Sequence, residues 1–186
     1  MLFNPVVSLV AVIIALIGPA ASRTSGQSLH QLLKDAHEQS VKGDHLAAVK
    51  VLDQAIERRP TRADLYFKRG STRLLAGDAQ GAVEDFTATI DRGGAVSRVY
   101  FRRALAFEKL GKPDESVTDY GKAIQLNPDF IDAYERRSEL YKTAGKEKQS
   151  YDDLFAALKP ENLHRRLETE FLKNLAPATR CPDHSR

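Results

Sequence analysis

The sequence predicts an all-α fold, a helical solenoid of antiparallel helix pairs finished by a C-terminal capping helix. Three observations point to it. Gly43, Gly77, Gly111 and Gly145 recur at intervals of 34 residues. Other columns keep the same register: Leu32, Tyr66, Tyr100 and Tyr134; Ala36, Gly70, Ala104 and Ser138; Ala48, Ala82, Ser116 and Ser150; Leu52, Phe86, Tyr120 and Leu154. Between these markers lie proline-free stretches such as 63–76 and 79–92, with apolar residues three and four positions apart, the spacing of an amphipathic helix. One such hairpin cannot bury its apolar face alone, so a stable chain must stack several and close the ends differently.

The elements follow in order. Residues 1–22 read as a leader, because 5–21 carry no charge and the run 6–17 has the length of a signal-peptide apolar region. Gly18, Ala20 and Ser22 offer cleavage sites, which would export the protein to the periplasm or outside the cell. The alternative is an uncleaved anchor over 2–21, which would confine membrane contact to this segment. Residues 23–28 form a linker. Four units follow at 29–62, 63–96, 97–130 and 131–160, each with a glycine at mid-unit to end its first helix. Pro60 and Pro128 close the first and third units, Gly93 and Gly94 the second, and Pro160 the fourth. Residues 161–175 place Leu163, Leu167, Phe171 and Leu175 on one face and form the predicted capping helix. Residues 176–186, with two prolines and no periodicity, form a flexible tail.

Composition removes whole classes of function. A single cysteine among 186 residues excludes an intrachain disulfide framework and a multi-cysteine zinc site. A formal net charge of +3, from 28 basic and 25 acidic residues, does not supply the cationic surface that dominates nucleic-acid affinity, so no nucleic acid is expected as a partner. His30 and His37 stand seven residues apart on the first helix, about 10 Å of rise, too far to share a metal. His45 is expected in a turn, and His164, His184 and Cys181 lie toward the C-terminus without a spaced partner. There is no phosphate-binding loop and no nucleophile elbow. No catalytic residue, metal site or cofactor is expected.

The columns resemble the tetratricopeptide repeat. Unit two carries the pattern as Tyr66, Arg69, Gly70, Arg73, Ala82, Phe86 and Thr89. Unit three carries it as Tyr100, Arg103, Ala104, Phe107, Ser116, Tyr120, Ala123 and Pro128. The resemblance covers 29–164. It departs from the family at two columns: tryptophan is absent, and the usual leucine is replaced by Asp35, Arg69, Arg103 or Arg137. The resemblance implies a right-handed solenoid acting as a non-catalytic protein-interaction scaffold, with a concave groove for a protein or peptide. The family's carboxylate clamp does not carry over, since its positions here are Leu33, His37, Phe101 and Leu105.

Two charged columns lie side by side. Arg69, Arg103 and Arg137 are followed sixteen residues later by Asp85, Asp119 and Asp153, a separation that brings the two helices of a hairpin face to face. These are expected to be structural ion pairs, partly exposed and each contributing about 0–1 kcal/mol. In unit one the corresponding residues are Asp35 and Val51. One position earlier, Lys68, Arg102 and Arg136 have no acidic column to answer them. By the family resemblance they face the groove, where with Phe67 and Phe101 they would bind an acidic peptide segment or a terminal carboxylate. The competing readings are a membrane-tethered assembly factor acting through its convex face or terminal helix and, as a minor alternative, RNA binding. Oligomeric state is left open.

Overall fold

The structure, a computed structural model, describes residues 27–158. Among these residues it contains eight α-helices and no strand. They run α1 Leu29–Val41, α2 His45–Arg58, α3 Ala63–Leu75, α4 Ala79–Asp91, α5 Ser97–Lys109, α6 Pro113–Leu126, α7 Ile131–Thr143 and α8 Glu147–Ala157. The leader, the predicted capping helix at 161–175 and the tail lie outside the described residues. None of the described helices is long and apolar enough to cross a membrane.

Many of the boundaries have a local cause. Ser28 Oγ accepts from the amide of Gln31 at 3.1 Å, Asp44 from Ala47 at 2.9 Å and Asp78 from Gly81 at 2.8 Å, so three helix starts are capped by a side chain. Pro113 opens α6, where its missing amide proton costs nothing. At the first-helix ends, Gly43, Gly77, Gly111 and Gly145 have φ of +82°, +88°, +68° and +70°. The left-handed turn lets the next amide reach back to a carbonyl five residues earlier, as from Asp78 to Arg73 at 2.9 Å and from Lys146 to Tyr141 at 2.8 Å. Gly93 does the same at the end of α4, in place of the proline that closes units one and three. The helices α3 and α4 stop one residue short of the predicted 76 and 92, because Ala76 and Arg92 serve as their caps.

Within a hairpin, small residues allow close approach. Ser116 Oγ donates to the Ala104 carbonyl at 2.9 Å, and the Ser138 and Ser150 hydroxyls lie 2.9 Å apart. A Cβ on Gly70 would sit 3.0 Å from Asp85 Cβ and 3.1 Å from the Phe86 ring. Between hairpins, Leu52, Phe86 and Tyr120 are buried at 3%, 0% and 0% exposure, whereas Leu154 at the same position of unit four is 40% exposed. Tyr120, Ala123 and Ile124 pack with Ala133 of the next unit, and Leu32, Ala55 and Ile56 with Leu65. Neighbours in sequence are neighbours in space, as a solenoid requires. The first helices α3 and α5 also touch directly, and no pair of second helices has a contact of that extent among the described residues. The first-helix side is therefore the inner side of the stack.

Gly77 separates backbone strain from crowding, since a Cβ there would meet nothing within 4 Å. Gly77→Ala is expected to cost about 1–2 kcal/mol through the left-handed backbone alone. Equilibrium urea unfolding measures it.

Candidate functional site

The arginine column forms the polar interior of the stack. Arg69 donates from Nε and Nη2 to Asp85 at 2.9 and 2.5 Å, Arg103 to Asp119 at 2.7 and 2.8 Å, and Arg137 to Asp153 at 2.8 and 2.6 Å. Each guanidinium lies near the tyrosine three residues before it, with 5.6 Å from Arg69 to Tyr66, 5.6 Å from Arg103 to Tyr100 and 5.9 Å from Arg137 to Tyr134. The hydrogen bond to the paired aspartate is the chief influence holding all three guanidinium groups above the ordinary arginine range, against the opposing effect of burial.

Two features of these pairs differ from the sequence expectation. The aspartate side chains are only 2%, 5% and 7% exposed, so the pairs are buried on the acidic side rather than partly exposed. Losing a partner there leaves an uncompensated buried carboxylate, an effect larger than that of a surface pair. The third nitrogen, moreover, looks backward across the junction between units. Arg69 Nη1 donates to Asp53 at 2.7 Å and Arg103 Nη1 to Thr87 Oγ1 at 3.1 Å, each partner sixteen residues before its arginine. At the third junction the corresponding residue is Gly121, where a Cβ would lie 3.3 Å from Arg137 Nη1. The signal for these partners was the same sixteen-residue offset read in the other direction. Arg73 was also missed as a partner: its Nη1 donates to Asp85 at 3.0 Å, while Phe107 and Tyr141 hold its position in the next units and lie under Arg103 and Arg137.

The neighbouring cationic column is not uniform. Lys68 is exposed and Arg102 half-buried, and among the described residues neither has a carboxylate within ion-pair distance. Both line a recess of about 310 Å³ framed by α1, α3 and α5, where Leu33, Phe67 and Leu75 supply apolar wall and His37 and Ser71 polar wall. The Ser71 hydroxyl is inaccessible and has no hydrogen-bond partner. Arg136 departs from the expectation of an unanswered column, because its Nη1 lies 3.7 Å from Glu108 Oε2. Glu108 in turn accepts from the Tyr120 hydroxyl. Phe101 is also drawn away from the recess, packing on Phe130 at 4.7 Å and Tyr120 at 5.5 Å between ring centroids. The structure thus brings Lys68, Arg102 and Phe67 together and sets Arg136 and Phe101 apart. Phe67 also borders a second recess, of about 510 Å³, with Val96, Arg98 and Val99.

Of the histidines, His30 and His37 share α1, and His45 opens α2 instead of lying in a turn. His45 is placed there because Asp44 takes the capping position, and its Nδ1 is buried without a partner. No group of three metal-ligating side chains occurs among the described residues. Cys181, His164 and His184 lie outside them.

An array of stacked helical hairpins with an inner surface lined by unpaired cations and apolar side chains is a repeat scaffold for protein–protein interaction. Two tetratricopeptide-repeat family models match, one over residues 33–97 and the other over 97–130, together more than half of the chain. The chain belongs to the tetratricopeptide repeat family. Among solved structures it is similar to a crystal structure of MamA, with a TM-score of 0.71 at 21% identity, covering 78% of this chain and 84% of that one. It is also similar to MamA 41-end from Desulfovibrio magneticus RS-1, with a TM-score of 0.68 at 17% identity, covering 82% and 85%. At these identities the likeness is one of fold. No curated protein matches the sequence.

Arg103→Leu is expected to lower stability by about 3 kcal/mol through the stranded Asp119, and Arg103→Leu with Asp119→Leu to recover most of that loss. Chemical denaturation of the two variants distinguishes this from a simple packing defect. Tyr120 gives a pH signature. Burial first, and then the bond to Glu108, push its phenol well above the ordinary range. The folded state therefore retains a proton that the unfolded chain releases at about pH 10, so stability is intact below that pH and falls as pH rises beyond it. Tyr120→Phe is expected to flatten this alkaline fall, read as the urea midpoint against pH.

Proposed function

We propose that this protein is a scaffold that holds an acidic segment of a protein partner in the inner groove of units one to three. The observation that carries the proposal is the pairing of Lys68 and Arg102, two unopposed cations, with the apolar wall of Leu33, Phe67 and Leu75 in one recess. An extended segment with a carboxylate between the cations and an apolar side chain against that wall fits both halves of the site. Arg136, occupied by Glu108, contributes less. The reading requires no catalytic step, and the partner's chemistry is defined by charge and shape alone. For the leader we infer export followed by cleavage, which Edman sequencing of the mature N-terminus tests.

The groove is tested by capturing partners with the intact protein, identifying the bound segment, and titrating it against variants. Lys68→Glu with Arg102→Glu is expected to weaken binding at least about tenfold, and Arg136→Glu alone less than about threefold. Affinity unchanged by the double reversal sinks the groove reading. A ligand that proves to be RNA, losing affinity steeply with salt, redirects it.

A further inference from the structure

We propose, resting on the groove reading above, that Glu108 is a specificity-determining residue whose carboxylate fills the Arg136 subsite in cis and so limits an acidic segment to the subsites of Lys68 and Arg102. The three subsites can be compared in the 34-residue register. Each cation follows two positions of the unit before it, one near the end of the first helix and one inside the second. For Lys68 these are Ser40 and Leu52, for Arg102 they are Leu74 and Phe86, and for Arg136 they are Glu108 and Tyr120. Ser40, Leu52 and Lys68 line one recess, so the three positions meet in space as well as in register. Leu74 and Phe86 are 8% and 0% exposed and belong to one apolar cluster. Neither of these two pairs sets a carboxylate before its cation.

At the third junction both positions change together. The acid arrives at the leucine position, and the ring that is phenyl in Phe86 gains a hydroxyl in Tyr120. That hydroxyl donates to Glu108 Oε1, while Glu108 Oε2 lies 3.7 Å from Arg136 Nη1. Tyr120 is fully buried, so one carboxylate oxygen is anchored on the core and the other is turned toward the cation. An unanchored surface pair gives up its partner readily, whereas a carboxylate held by a buried phenol stays in place. The chain thereby supplies at Arg136 the contact that a partner's carboxylate would make.

Two effects on a bound segment follow. The charge of Arg136 is already offset, and a second carboxylate brought to it meets Glu108 as a like charge. Specificity of this kind comes from repulsion as well as from attraction. Phe101, packed on Tyr120 and Phe130, withdraws the apolar wall from the same place. Packed helices lie about 8–10 Å apart, a distance that an extended chain crosses in about three residues. The partner segment therefore carries two acidic residues about three positions apart and gains nothing from a third acid one step nearer unit four.

The test titrates the full chain with end-blocked synthetic peptides of serine and glycine that carry one leucine and two glutamates three positions apart. Companion peptides add a third glutamate, three positions beyond at one end or the other. The native chain is expected to bind the two kinds within about twofold of each other. Glu108→Gln, whose amide oxygen still accepts from Tyr120, is expected to favour one three-glutamate peptide by about threefold or more, and Arg136→Gln in that background to remove the gain. Ser40→Glu, which sets a carboxylate before Lys68, is expected to bind the two-glutamate peptide about threefold more weakly than Ser40→Gln does. Urea midpoints establish that each variant is folded. A three-glutamate preference in the native chain, or none in Glu108→Gln, overturns the role of Glu108 where binding still needs Lys68 and Arg102. No binding of any peptide, or binding unaffected by Lys68→Glu with Arg102→Glu, overturns the groove reading itself.

Discussion

The stack depends on the guanidinium groups of Arg69, Arg103 and Arg137. Two nitrogens of each close its own hairpin on a buried aspartate, and the third points back across the junction to the preceding unit. A planar fork with five donors can do this where a point charge on a flexible stem cannot. Apolar columns drive the units together but tolerate small slips and rotations. The fork is satisfied only at one separation and one angle, so it adds specificity to the burial supplied by Phe86 and Tyr120. The tyrosine column belongs to the same device, since its rings lie beside the guanidinium groups.

The device has a consequence for the neighbouring column. Successive residues on a helix are rotated by about 100°. With the arginine column committed to the interior, the residues just before it turn toward the inner surface. Lys68 and Arg102 remain unpaired there, while Arg136 is taken up by Glu108, which also accepts from the Tyr120 hydroxyl. A column that looks like three equivalent cations thus leaves two unpaired ones, which line a single recess of units one to three. The asymmetry arises because Glu108 follows Arg102 by six residues on the same helix and reaches forward to the next unit, while the corresponding residue after Lys68 is Leu74, which is buried and carries no charge.

Much of the fold was legible. The 34-residue recurrence of glycine marked the turns that show positive φ, and the facing small columns marked where backbones meet, as at Ser116 with Ala104. The family departures were legible as residues but not as a consequence. Arg69, Arg103 and Arg137 stand where leucine is usual, and their sixteen-residue link to Asp85, Asp119 and Asp153 could be read because it lies within one hairpin. Asp53 and Thr87 stood at the same distance on the other side and were passed over, since their residue types differ from unit to unit and leave no column to notice.

The sequence by itself determined the repeat, the limits of α3 and α4 to within a residue, and the pairing of charges inside each unit. These follow from local rules: helix periodicity, turn chemistry and the short loop that returns one helix along another. Only the tertiary structure decided how deeply the aspartates are buried, which cations of the second column stay unpaired, and which groups meet across a junction. Those depend on the distance and angle at which one hairpin stacks on the next. Many side chains on both units set that geometry together, and no spacing within one unit records it.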